Sequence, residues 1–247
     1  SKLNTQVGIR LEDNEKYGSH TVGQMAARYQ LLANTSIYAN IGTAFKSPTL
    51  NELYNSWNGN PNLDPEESTS YEIGLDQVLA YGFQTGLSAY YTKVDDLIAS
   101  GSNGLLTNIQ EATYYQGGEL YLGWQQDDLF TKATYSYVKA QNEETNEDLK
   151  RRPRQGFTLT TGLQNEVYGI SASLVAKSKA KEWNKNYSTP GYATIDINAF
   201  WNVNPYVKLF TNIQNIGDVE YKTAYQDRGY YYMNGGRLAS AGVTFRY

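Results

Sequence analysis

Alternation with a period of two recurs along the whole of this 247-residue chain and leaves little room for helix. In "TIDINAFW", Ile195, Ile197, Ala199 and Trp201 fall on one face, and Thr194, Asp196, Asn198 and Phe200 on the other. "FTLTTGLQ" sets Phe157, Leu159 and Leu163 opposite Thr158, Thr160, Gly162 and Gln164. "YEIGLD", "IYANIGTAF" and "ELYLGWQ" divide in the same way, with Leu75, Ile41 and Leu122 on their apolar faces. Successive side chains of a strand point to opposite faces, so each segment predicts a strand with one greasy side and one wet side. About twelve such segments can be counted, most at or above the ~9–11 residues that a tilted membrane strand needs.

The connections between these segments predict how the strands are joined. Short turns are expected near Ala33-Asn34, Tyr81-Gly82, Asp127-Asp128, Asn165-Glu166 and Asn204-Pro205. Long polar loops are expected near 12–19, 47–66, 98–112, 142–153, 181–190 and 217–236. Long and short connections thus alternate, as in an up-and-down antiparallel sheet with tight turns on one rim and long loops on the other. The polar face carries Arg10, Arg28, Asp76, Glu119, Gln164, Asp196 and Asn198. Small soluble barrels fill their interiors with apolar side chains, so these residues fit a wet lumen better than a packed core. The fold expected is all-β: a transmembrane antiparallel up-and-down β-barrel occupying residues 1–247. A soluble barrel is the alternative.

Composition removes several chemistries. There is no Cys, so disulfides and thiolate metal sites are excluded, and the only His is His20. No Ser-His-Asp, Cys-His or paired-carboxylate arrangement points to catalysis, so the chain is not expected to be an enzyme. The net charge of −4, with no long basic run, argues against nucleic acid. No apolar run approaches the roughly 18 residues of a spanning helix. The 23 Tyr and 22 Gly stand out, since Tyr suits an interface with one apolar and one wet end. The acidic runs 11–15 and 142–148 suggest Ca²⁺, which takes several oxygen ligands, but neither has the spacing of a calcium loop; no metal or cofactor is expected.

Two stretches carry a specific resemblance. The chain ends "SAGVTFRY", and Ser240, Gly242, Phe245 and Tyr247 are similar to the C-terminal insertion signal of outer-membrane barrels. "FKSPTLNELYNSWNGNPNLDPEESTSYEIGL" resembles the signature of the TonB-dependent outer-membrane transporters through Lys46, Pro48, Tyr54, Gly59, Asn60, Pro61, Pro65, Glu66, Tyr71, Glu72 and Gly74. "NIQNIGDVEY" and Gly236-Arg237 at the start of the final strand add to it. Within that family, "YYTKVDDLIAS", "LKRRPRQ" and a short last loop are similar to the vitamin B12 (cobalamin) receptors.

The resemblance implies a bacterial outer-membrane location, contact with outer-membrane lipid, and insertion by the barrel-assembly machinery. It implies uptake of cobalamin; ferric-siderophore uptake, a plug-less passive pore and a purely structural barrel remain the alternatives. Such transporters have about 22 strands and a plugged lumen, and they work with an energy-coupling protein. This chain shows about half the strands and no plug, so it is expected to be the C-terminal part of a larger receptor or a reduced closed barrel, ending at a true C-terminus. The ligand candidates are loop aromatics and cations: Tyr54, Trp57, Tyr114, Tyr115, Arg151, Arg152, Tyr187, Tyr225, Arg228, Tyr230, Tyr231 and Tyr232. Rigid amphipathic rings offer a large flat ligand contact area at low entropic cost. An interfacial aromatic girdle is the competing use of the tyrosines. The prolines of the 47–66 loop fix φ and make it a stiff collar.

Overall fold

The protein is described from a computed structural model covering residues 2–101, 103–109, 112–184, 186–226 and 229–247. In chain order its strands are β1 (Leu3–Asn14), β2 (Gly18–Leu32), β3 (Thr35–Lys46), β4 (Glu66–Val78), β5 (Phe83–Asp95), β6 (Ile98–Ser100), β7 (Leu106–Asn108), β8 (Thr113–Gln126) and β9 (Leu129–Asn142). They continue with β10 (Gln155–Gln164), β11 (Tyr168–Lys177), β12 (Ala180–Lys181), β13 (Ser188–Thr189), β14 (Tyr192–Asn204), β15 (Val207–Gln214), β16 (Lys222–Gln226), β17 (Tyr230–Met233) and β18 (Leu238–Phe245). One short helix, α1, spans Leu50–Tyr54.

Twelve of the strands form one sheet in the order β1-β2-β3-β4-β5-β8-β9-β10-β11-β14-β15-β18. Every long strand thus neighbours the next long strand in sequence, which is the up-and-down order expected. The remaining six strands form separate two-stranded ribbons within the long loops: β6-β7, β12-β13 and β16-β17. Among the described residues no helix is long and apolar enough to cross a membrane, which leaves crossing by strands untouched.

The chain divides into two compact units. Unit 1 comprises Ser1–Leu75, Ser88–Gly118 and Lys139–Leu149. Its polar face is a connected network. Tyr38 and Asn40 both donate to the Glu72 carboxylate, at 3.3 and 2.9 Å, and the Arg28 guanidinium lies over the Tyr38 ring at 4.8 Å. The Tyr38 ring crosses the space a Cβ on Gly74 would fill. That explains the Tyr-Glu-x-Gly motif: Glu72 and Gly74 share a face, one receiving the Tyr38 hydroxyl and the other making room for its ring.

Unit 2 comprises Asp76–Leu87, Glu119–Val138 and Lys150–Tyr247. Here the register lines up the two kinds of residue across several strands. Leu159 lies opposite Leu174, and Leu174 opposite Ile195, giving an apolar row. Thr160 lies opposite Ser173, and Ser173 opposite Asp196, giving a polar row next to it. Ile197 continues the apolar side to Ile213, and Leu209 to Val243. Ile195 and Val243 on this side are exposed, as is Leu122 on β8. On the polar side the Phe210 ring covers Gly242 and the Phe200 ring covers Gly169. The glycine of the C-terminal pattern therefore faces away from Phe245, which pairs with Val207 and is exposed.

The five short turns fall where expected, but the first long loop does not. Residues 12–19 form a tight hairpin: β1 and β2 pair in register from Leu3↔Tyr29 to Asn14↔Gly18. The acidic "LEDNE" run is strand and turn, with Asn14 Oδ1 accepting the Lys16 and Tyr17 backbone N–H groups. At the turn after β4, Tyr81 and Gly82 both have positive φ, 58° and 78°, as a two-residue turn matched to strand twist requires. A Cβ on Gly82 would also strike the Gln125 carbonyl oxygen. Gly82→Ala is therefore expected to lower stability in detergent by at least about 1 kcal/mol, read as a lower urea midpoint with unchanged slope.

Candidate functional site: two ordered loop clusters

The loops of each unit are held by specific side chains. In unit 1 the 47–66 loop begins with α1, whose N-cap is Thr49. Thr49 Oγ1 accepts the Glu52 N–H at 3.2 Å, and Glu52 Oε2 accepts the Thr49 N–H at 2.7 Å, a complete capping box. Lys46 Nζ bridges Glu52 and Glu66 at 3.3 and 3.2 Å, and Glu66 Oε1 also accepts the Ile98 N–H at 3.0 Å. Burial pushes the Glu52 carboxyl up, and its bonds from Thr49 and Lys46 outweigh that and hold it below the usual range.

Asn108 then ties this loop to the β6-β7 ribbon. Its Oδ1 accepts the Asp64 N–H, and its Nδ2 donates to the carbonyls of Asp64 and Asp96. Asn60 Nδ2 donates to the Leu106 carbonyl at 2.8 Å, and Lys16 Nζ to the Pro61 carbonyl at 2.8 Å. Leu53, Pro48 and Leu63 are buried beneath, Leu63 to 1 % exposure. A Cβ on Gly59 would lie 2.5 Å from the Asn55 nitrogen, so the collar closes on itself only with glycine there. Of the family-motif residues, Lys46, Pro48, Gly59, Asn60, Pro61 and Glu66 therefore take part in the collar, while Tyr54 and the neighbouring Trp57 are exposed, Trp57 to 89 %.

In unit 2 a single carboxylate joins three loops. Glu182 is 1 % exposed. Its Oε2 accepts Arg151 Nε at 2.9 Å, its Oε1 accepts the Thr189 hydroxyl, and the Tyr225 N–H bonds to it as well. Arg151 also donates from Nη2 to the Tyr225 carbonyl at 2.8 Å, and from its backbone N–H to the Lys181 carbonyl at 2.7 Å. Burial pushes the Glu182 carboxyl up, but the bonds from Thr189, Arg151 and Tyr225 outweigh it, so it sits below the usual glutamate range. Upon this lock the aromatic rings assemble. Tyr225 stacks on Tyr187 at 4.0 Å and meets Tyr231 edge-on at 5.1 Å. Tyr231 donates to the Ser188 carbonyl at 3.0 Å, with Lys222 Nζ over its ring at 4.0 Å.

These contacts sort the candidates. Tyr225 is 4 % exposed and Arg151 is committed to Glu182, so both act in this structure as scaffold. Tyr187 is exposed beside Tyr225, Tyr230 and Tyr232 are exposed and alternate with Tyr231 along β17, and Arg152 is exposed as well. Tyr114 shares its alternation in β8 with Leu120, Leu122 and Trp124, stacks near Tyr91 at 6.2 Å, and donates to Gln141 and Asn146. That placement fits the girdle use of tyrosine. Tyr115 is half-buried, and Arg228 lies outside the described residues. Gly236, at φ 74°, and Arg237 are held by Asp218, whose Oδ1 accepts the Arg237 N–H at 2.8 Å. Among the described residues no cluster of three or more His, Cys, Asp or Glu is placed to hold a metal ion. His20 stacks on Phe45 at 4.4 Å, 3.8 Å from the Glu67 carboxylate. Sequence reasoning missed Glu182 and Asn108, whose partners are remote in the chain.

Residues 1–216 match the family described as TonB dependent receptor-like, beta-barrel. The chain is 31 % identical over 239 residues to the Vitamin B12 transporter BtuB of Photobacterium profundum, covering 90 % of this chain and 39 % of that protein. It is 28 % identical over 250 residues to the Vitamin B12 transporter BtuB of Vibrio vulnificus, covering 99 % of this chain and 40 % of that protein. Among solved structures, the ferric enterobactin receptor PfeA of Pseudomonas aeruginosa superposes with a TM-score of 0.82 at 18 % identity, over 99 % of this chain and 42 % of that one. The chain thus spans about two fifths of the relatives it matches, and the likeness to PfeA is one of fold.

Proposed function

Because the chain belongs to the TonB-dependent receptor β-barrel family, we propose that it is the barrel portion of an outer-membrane receptor that binds and takes up cobalamin. The observation that carries this reading is the tyrosine platform on the Glu182 lock, set beside the 31 % identity to a vitamin B12 transporter. Cobalamin is large, nearly neutral and partly flat, so recognition rests on aromatic area more than on charge. In this reading transport needs a plug and an energy-coupling protein in the whole receptor. The apolar rows meet outer-membrane lipid, and Ser240, Gly242, Phe245 and Tyr247 direct insertion through the barrel-assembly machinery.

Arg151 cannot serve as a simple charge probe, because its removal breaks the lock; Arg152 and the exposed tyrosines can. In the whole receptor, Tyr230→Ala combined with Tyr232→Ala is expected to weaken cyanocobalamin binding roughly tenfold, about 1.4 kcal/mol. Arg152→Gln is expected to change it less than about twofold, with little dependence on salt. Titration calorimetry at two ionic strengths checks both. The reverse ranking contradicts the reading and favours an anionic ferric siderophore.

A further inference from the structure

On the apolar side of unit 1, three alanines leave a recess. Ala27 and Ala39 face each other in register on β2 and β3, and Ala89 lies on the same side of β5. Met25, directly opposite Ile41, rises beside them, with Ile73 and Tyr71 from β4 and Tyr91 from β5. Together they line an open groove of ≈ 550 Å³ whose lining is almost wholly apolar. Asn40 and Glu72 contribute no polar end to it, since their side chains bond each other on the opposite face at 2.9 Å. A polar ligand placed there would lose its hydrogen bonds to water without replacement.

We propose that this groove is a binding site for an acyl chain of a membrane lipid. The inference rests on the reading that the apolar side of the sheet meets lipid, and adds that one lipid is held there in a defined place. The residues beyond the groove give the occupant a direction. Tyr91 stacks near Tyr114 at 6.2 Å, and two residues further along β5 on the same side Lys93 pairs with Asp95 at 2.9 Å. The order along the strand is apolar recess, aromatic pair, charged pair. That is the order of a lipid's tail, interface and headgroup, and no uniformly apolar partner calls for it.

The test uses the whole receptor, extracted from outer membranes and delipidated stepwise, with retained molecules identified by native mass spectrometry. Ala39→Phe and Ala89→Leu fill the groove from different strands. Ala172→Phe adds the same ring to the apolar side of unit 2, opposite Ile197. Wild type and Ala172→Phe are expected to keep one lipid after bulk lipid is gone, and each groove-filling variant to keep at least tenfold less. Equal retention in all four, no retained lipid in wild type, or a retained peptide or detergent in its place overturns the proposal. Ile197→Trp with brominated lipids tests the underlying reading separately. Quenching there without a retained lipid removes the groove site alone, whereas absent quenching removes the lipid-facing reading and the site with it.

Discussion

Replacing Glu182 with Ala is expected to loosen the loops at 150–154, 180–189 and 222–233 together, although the changed residue touches solvent with only 1 % of its surface. The carboxylate is the common acceptor for Arg151, Thr189 and the Tyr225 N–H, so its removal orphans a donor in each loop. The Arg151 side chain is 41 % exposed and water replaces part of what it loses, so the local cost is set at about 2–3 kcal/mol. Hydrogen exchange in these three loops should rise by one to two decades, roughly what that energy implies. The collar loops of unit 1, held by Asn108 and Lys46, should not change. If only the 180–189 loop responds, Glu182 is a local contact and no lock.

The same carboxylate gives a pH dependence whose sign follows from its environment. Its pKa is lowered in the folded loops, so it contributes stability above its ordinary value of about 4.3. That contribution is lost as the pH falls through the lowered folded value. Loop protection should be flat from pH 8 to about 5 and fall below about 4. In Glu182→Gln, exchange is faster at neutral pH and the acid step is absent.

The second large effect concerns the apolar rows. Arg at Leu159 or Ile197 is expected to impair folding into bilayers by about 2–4 kcal/mol when the site is near the midplane. Arg at Thr160 or Asn198 should cost far less. Thr160 is directly beside Leu159 in sequence but lies in the row that runs through Ser173 to Asp196, where a cation meets polar groups and an acid. Refolding into lipid vesicles across a urea series measures all four. Equal sensitivity of the two rows contradicts a lipid-facing side and fits a soluble barrel with a packed interior.

The rows were legible because alternation is a local property. Each strand divides Ile195 from Asp196, or Leu159 from Thr160, with no knowledge of its neighbours, and the register only brings like faces together. The first loop was misread for a related reason. Glu12, Asp13 and Asn14 look like loop residues, yet they pair with His20, Ser19 and Gly18, because a strand can run beyond its apolar stretch with both faces polar. The loop clusters were legible only in residue type. Tyr187, Tyr225 and Tyr231 stood out as aromatic, but nothing local separates the buried Tyr225 from the exposed Tyr230. Glu182, between Lys181 and Trp183, reads as a solvated loop charge. Its meaning comes from Arg151, 31 positions away, and Arg151 in turn bonds Tyr225, 74 positions away. Arg151, with φ 58° and both ends engaged, became scaffold where charge alone had suggested ligand contact.

Recognition of cobalamin by an aromatic loop surface is open to measurement by competitive binding to the whole receptor. Cyanocobalamin and a ferric catecholate siderophore are titrated separately and together at low and high salt. Cyanocobalamin binding is expected to be saturable, to change little with salt and to resist displacement by the siderophore. Saturable siderophore binding that weakens steeply as salt rises, with no cyanocobalamin uptake by the loops, would contradict it.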